Sequence, residues 1–169
     1  MSAAAPRVGI LMGSASDLEV MGGAAKTLRD LGIGCEMTVA SAHRSPARVE
    51  AFVRGAERKG IRVFIAGAGG AAHLAGVVAS MTTRPVIAVP LATSPLSGFD
   101  ALLSSVQMPP GIPVATVSVG SWGARNAAIL AAQILAISDE ALGARLAEHR
   151  GKMREDVEKA AAKVEAEGF

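Results

Sequence analysis

The chain has no tyrosine, one tryptophan and four phenylalanines in 169 residues. So few flat rings do not sandwich a flavin, and they do not interleave with Lys and Arg as nucleic-acid platforms do. Cys35 is the one cysteine, which excludes an internal disulfide and fits a reducing compartment. Excess charge of one sign is lacking too: 17 Lys and Arg face 15 Asp and Glu. With that balance no nucleic-acid partner is expected. The apolar stretch Ala127 to Ile137 is too short to span a bilayer and is interrupted by Gln133, so no membrane partner is expected. Met1 to Pro6 has no apolar centre, so no secretory signal is expected, and the chain reads as cytoplasmic. There is no Walker motif and no Gly-x-Ser-x-Gly elbow.

What is present is small and aliphatic. Half the residues are apolar and 19 are glycine. Such residues let helices lie close on a sheet, and they suit a chain that buries further surface in an oligomer. The length sets one domain, residues 1–169, with a core over about 7–137 and a helical arm over about 138–167. Short apolar runs at 7–12, 35–40, 61–66, 85–89 and 114–119 read as strands. Between them lie helical patterns. The first is capped by Ser16 or Asp17 and spaced by Leu18, Met21, Ala25, Leu28 and Leu31. The second, opened by Ser45 and Pro46, buries Val49, Phe52, Val53 and Ala56. Ser97 to Gln107 reads as another helix, and one more starts at Ala124 after the turn Gly120 to Gly123. Strand and helix in alternation give an α/β fold, a parallel sheet covered on both faces. From Ser138 the composition becomes charged. Leu142, Leu146, His149, Met153, Val157, Ala160 and Val164 recur at steps of three and four, a narrow stripe suited to another subunit.

The chemistry sits in the turns after the strands, the edge where such sheets bind ligands. Ser41-Ala42-His43-Arg44 joins the second strand to its helix. Arg44 suits a phosphate held bidentately, and His43 moves a proton near neutral pH. Gly13-Ser14-Ala15-Ser16-Asp17 follows the first strand and offers hydroxyls, a helix N-terminus for an anion and a carboxylate for a ribose diol. Taken alone, Ser16 and Asp17 are better explained as helix caps, because capping is so common. Gly67 to Leu74 follows the third strand. Gly67, Gly69 and Ala72 have the spacing of a dinucleotide fingerprint, but no Asp or Glu occurs between Lys59 and Phe99 to complete it. Three glycines in four residues imply a close approach of backbone to ligand. His73, placed one turn into the next helix, is either a second functional imidazole or a core histidine bonded to a carbonyl. His43 and His73 without clustered carboxylates or thiols make a poor metal site. The sum is proton transfer on a nucleotide-like molecule.

Four strings together, Gly13-Ser14-Ala15-Ser16-Asp17, Ser41-Ala42-His43-Arg44, Gly67 to Leu74 and Val106-Gln107-Met108-Pro109, resemble the class I N5-carboxyaminoimidazole ribonucleotide (N5-CAIR) mutases, the PurE family of purine biosynthesis. The match runs from about Val8 to Leu135. The resemblance implies a three-layer flavodoxin-like fold with a long C-terminal helix, assembled as a homo-octamer. It implies an isomerase that moves a carboxylate from the exocyclic nitrogen of N5-CAIR to C4, with no cofactor and no metal. His43 is then the general acid/base. Ser14, Asp17 and Arg44 bind the ribonucleotide, and Ser16, Ser41, Gly69, Gly70, His73 and Leu74 line the pocket. Ser94 to Val106 is the expected lid. Ala75 and Ser45 stand where proline and threonine are usual, and Trp122 and Arg125 enlarge a segment that is usually smaller. Two alternatives remain: an aminoimidazole ribonucleotide carboxylase that uses CO2 directly, and a non-catalytic nucleotide-binding module.

Overall fold

The computed structural model describes residues 5–168. Its strands are β1 (Pro6–Met12), β2 (Gly34–Val39), β3 (Val63–Gly69), β4 (Val86–Leu91) and β5 (Ala115–Thr116). Its helices are α1 (Leu18–Asp30), α2 (Pro46–Arg58), α3 (Leu74–Met81), α4 (Phe99–Val106), α5 (Gly120–Ala136) and α6 (Glu140–Ala166). The strands form one all-parallel sheet in the order β2-β1-β3-β4-β5. This is the flavodoxin-like order, and it reverses direction at β1 and β3. Met12 pairs with both Val39 and Gly67, so the turns after β1, β2 and β3 leave the sheet at one level.

Alternation along the central strands sorts the core into two layers. Val8, Ile10 and Met12 of β1, with Ile65 of β3 and Val89 of β4, pack under α1 and α5. Leu11, Phe64, Ala66 and Ala88 point the other way, under α2 and α3. The abundant small residues have their use here. Ala124, Ala127, Ala128, Ala131 and Ala132 of α5 are fully buried against the sheet and α1. Gly9 of β1 makes room for Phe64, whose Cδ1 would lie 2.9 Å from any Cβ at that position.

Several boundaries differ from the sequence reading. The run Cys35 to Ala40 was expected to be buried, but β2 is an edge strand and only half covered. The expected six-residue strand at 114–119 pairs with β4 over two residues only, Ala115 and Thr116. β3 continues to Gly69, so the first glycines belong to the strand. α5 begins at Gly120, not Ala124. Gly123 lies inside it because a Cβ there would stand 1.7 Å from the Ser118 carbonyl oxygen. The expected lid divides in two. Phe99–Val106 is a helix that buries Ala101 and Ser105 and packs along β4 and β5, whereas the residues before it form no helix or strand.

α6 is capped by Asp139, which accepts from the Leu142 amide and pairs with Arg7 at 2.6 Å. Leu142 is fully buried and Leu146 partly, both against α5, and Arg145 donates to the Leu31 carbonyl at 2.9 Å. Beyond Gly151 every described residue is exposed, including Met153, Val157 and Val164. The first part of the stripe therefore packs on its own subunit, and the rest projects. Among the described residues no helix is long and apolar enough to cross a membrane.

Candidate active site

The turns after β1, β2, β3 and β4 close around a cavity of about 310 Å³ at the C-terminal edge of the sheet. Nine of the ten residues singled out in the sequence line it: Ser14, Ser16, Asp17, Ser41, His43, Arg44, Gly69, His73 and Leu74. Gly70 does not. Its φ of +61° turns the chain out of β3, a conformation that favours glycine. A larger cleft of about 860 Å³ opens elsewhere, among Arg84, Pro85, Ile112 and Pro113. It holds no histidine, and its one serine, Ser80, donates to the Val77 carbonyl of its own helix, so chemistry rather than size selects the smaller cavity.

Each turn is fixed by its own side chains. Asp17 stands at the N-cap of α1, as one of the two expected caps, but makes no side-chain cap bond there; Ser14 caps the short 3-10 turn, Ala15–Asp17, that runs into α1. The Ser14 amide donates to Asp17 Oδ2 at 3.1 Å, and the Ser16 amide and hydroxyl both donate to Ser14 Oγ, at 3.3 and 2.9 Å. This is a capping box, in which both ends of the turn are satisfied reciprocally. Asp17 is buried to 6% exposure. Burial pushes its carboxyl above the ordinary carboxylate range. Hydrogen bonds from the Ser14 amide, the Ser16 side chain and the Gly13 amide, with the Arg44 charge, pull it partly back. The carboxylate keeps acceptor capacity beyond these bonds, and it lines the cavity.

On the β2 turn, Ser45 stands at the N-cap of α2 but bonds backward. Its Oγ accepts from the Ser41 amide at 3.0 Å and donates to the Ser41 carbonyl at 3.3 Å. That closes a loop holding His43 and Arg44 outward. Arg44 Nη2 donates to the Gly13 carbonyl at 2.8 Å, and its Nε to Ser41 Oγ at 3.4 Å. The guanidinium is thereby pinned between the first two turns, with N–H groups left for an anion.

His43 reaches across to the β3 turn. Its Nε2 lies 2.7 Å from His73 Nδ1, with the rings edge to face at 79°. His73 sits just before α3 rather than one turn inside it, and it is exposed to the cavity rather than buried in the core. His73 is therefore not the core histidine bonded to a carbonyl that was one of the two expectations; it faces His43 across the cavity. The glycines of this turn do three different things. Gly67 is buried and clears space for Met21, whose Sδ would lie 2.4 Å from a Cβ there. Gly69 clears space for Thr93, and Gly70 turns the chain. Ala72 holds a φ of +46° without being glycine, a local strain of the kind stored at functional turns. Thr93, on the β4 turn, lines the cavity and was missed in the sequence. Its one signal was position, two residues after a strand that ends at this edge.

The arrangement offers cationic and hydroxyl donors at one end, a carboxylate beside them, and two paired imidazoles over glycine-rich backbone. It can bind a phosphorylated sugar and move a proton on what the sugar carries. Among the described residues no three His, Cys, Asp or Glu gather as a metal site.

Comparison with known proteins agrees with this chemistry. The family model described as AIR carboxylase matches residues 7–156. The N5-carboxyaminoimidazole ribonucleotide mutase of Thermotoga maritima is 51% identical over 164 residues, covering 97% of this chain and 95% of that one. The protein of the same name from Brucella melitensis is 56% identical over 150 residues, covering 89% and 93%. The solved structure of Treponema denticola PurE has 29% identity, a TM-score of 0.85, and covers 94% of this chain and 98% of that one. A family match over most of the chain, relatives at half identity over nearly their full length and the same fold together place this chain in the AIR carboxylase family.

Proposed function

We propose that the chain is an N5-CAIR mutase of purine biosynthesis, an isomerase that makes 4-carboxy-5-aminoimidazole ribonucleotide from N5-CAIR. The observation that carries this reading is the convergence of His43, Arg44, Ser14 and Asp17 on one cavity, in a chain half identical to proteins of that name. Arg44 and the Ser14 turn hold the phosphate, and Asp17 accepts from the ribose. Ser16, Ser41, Gly69, Gly70, His73 and Leu74 form or support the walls. The carbamate C–N bond breaks first, giving CO2 and aminoimidazole ribonucleotide. The electron-rich C4 then attacks CO2 and forms the new C–C bond. His43 takes the proton from C4 and aromaticity returns. The proton count closes because the exocyclic nitrogen gains one proton as C4 loses one.

A carboxylase that draws CO2 from solution is the second reading. It has an observation behind it: Saccharomyces cerevisiae phosphoribosylaminoimidazole carboxylase is 48% identical over 164 residues, although this chain spans only 28% of that protein. Initial rates under controlled CO2 separate the two. A mutase converts N5-CAIR efficiently at low bicarbonate, and uses aminoimidazole ribonucleotide only when CO2 is raised far above physiological levels, because a tethered reactant avoids the entropic cost of capturing a dilute gas. Efficient use of aminoimidazole ribonucleotide at ambient CO2, with little activity on the carbamate, would overturn the mutase assignment.

The proposal includes a cytoplasmic homo-octamer in which α6 is an intersubunit arm. About 40 Å of helix, anchored only through its first turns, exposes Met153, Val157 and Val164. The exposed end beyond Gly151 is about 15 residues of helix, a length that is marginal in water without packing. Deleting residues 152–169 removes only exposed segments of the described arm, so the subunit should still fold but sediment as smaller species. Unchanged sedimentation would show that assembly does not use the arm.

A further inference from the structure

Three of the four turns around the cavity carry every residue assigned so far. The fourth contributes Thr93. Strand order lays these turns side by side: Arg44 beyond β2, Ser14 and Asp17 beyond β1, Gly69 and His73 beyond β3, Thr93 beyond β4. A ligand with its phosphate between Arg44 and Ser14 runs its other end toward β3 and β4. That end carries the imidazole and its carboxylate.

The Thr93 hydroxyl is seated by the fold. Gly69 lacks a side chain where that hydroxyl lies: a Cβ on Gly69 would stand 1.7 Å from Thr93 Oγ1 and 3.0 Å from the Leu91 carbonyl oxygen. Ser14 and Ser16 bond to each other within the first turn, Ser41 accepts from Arg44, and Arg44 joins the two turns through the Gly13 carbonyl. Thr93 stands outside that network, on the opposite wall, as the hydroxyl nearest the β4 end among the described lining residues.

We infer that Thr93 determines specificity for the migrating carboxylate: its Oγ1–H donates a hydrogen bond to a carboxylate oxygen, holding CO2 between release and recapture. The inference rests on the mutase reading. Free CO2 is neutral and weakly held, whereas the carboxylate formed as C4 attacks it carries a full negative charge on its oxygens. A fixed neutral donor at that place gains strength as the charge develops, which is the differential binding that speeds a reaction.

Thr93→Val keeps the branched shape and removes the hydroxyl; Thr93→Ser keeps the hydroxyl. The probes are N5-CAIR labelled in its carbamate carbon and unlabelled aminoimidazole ribonucleotide, which lacks the carboxylate. T93V should lose about 100-fold in kcat, the low side of what one preorganised donor is worth. It should also release a larger share of label to solution per turnover. Its affinity for aminoimidazole ribonucleotide should stay within about twofold, since a missing contact cannot weaken a ligand that never made it. T93S should recover both rate and label retention. A T93V enzyme that keeps wild-type kcat and label retention overturns the inference alone, as does a parallel loss of rate and aminoimidazole ribonucleotide affinity. A wild-type chain that leaves N5-CAIR unconverted overturns the mutase reading and this inference with it.

Discussion

His43→Asn should lose turnover by several orders of magnitude while nucleotide affinity and folding stay close to wild type. The side chain stands exposed on a turn whose shape is set by Ser41 and Ser45, not by the imidazole. Asparagine can replace one polar contact with His73 but cannot take up and return a proton. General acid–base catalysis alone accounts for roughly 10²–10⁴ in rate. Here the loss compounds, because the C4 proton must leave before the ring regains aromaticity, and until then CO2 can be expelled again. Binding is separate, since the phosphate end is built by Arg44, Ser14 and Ser41. Single-turnover rates on N5-CAIR, paired with calorimetric titration of the product nucleotide, measure the two independently. Near-normal turnover removes His43 from the mechanism. A fall in affinity matching the fall in rate makes it a binding residue instead.

How much of this was legible in the chain depends on the range of the force that decides it. The alternation of apolar runs and helical spacing is local, and it yielded five strands, the parallel sheet and the long final helix. Which strand lies at an edge is not local. The run at 114–119 looks as strong as 61–66, yet β5 forms a ladder of two residues on one side, whereas β3 pairs at length with both its neighbours. The three charged or hydroxyl-bearing turns were legible because unusual residue types cluster in them. Thr93 was not, since a threonine after a strand resembles any loop threonine. Its meaning comes from Gly69, 24 positions earlier, whose missing Cβ admits its hydroxyl. Gly67 misled in the opposite sense. It looked like an approach to a ligand and instead accommodates Met21 of α1. Close packing and close ligand approach both demand glycine, and only the neighbour across the fold tells them apart.

Arg44→Ala should weaken binding of the phosphorylated substrate by about 2–4 kcal/mol, roughly 30- to 1,000-fold, the range for losing a charged hydrogen-bonded contact. The guanidinium is held in advance. One N–H meets the Gly13 carbonyl at 2.8 Å and Nε faces Ser41 Oγ at 3.4 Å, which orients the remaining donors. An arm fixed by the apoprotein loses little further entropy when the ligand arrives, so the contact returns more of its energy as affinity. Arg44→Lys should restore only part of the loss, because an ammonium on a flexible stem cannot meet the carbonyl, the hydroxyl and a phosphate in one plane. The effect should be confined to the phosphate. The dephosphorylated nucleoside binds without that contact, so its affinity should be nearly the same in wild type and Arg44→Ala. Rising ionic strength should weaken nucleotide binding in the wild type more than in the variant, since Arg44 faces solvent and its attraction is screened. Calorimetry with nucleotide and nucleoside at two salt concentrations gives all of these comparisons. Equal losses for nucleotide and nucleoside would move the phosphate away from Arg44 and leave its bonds to Gly13 and Ser41 as the whole of its role.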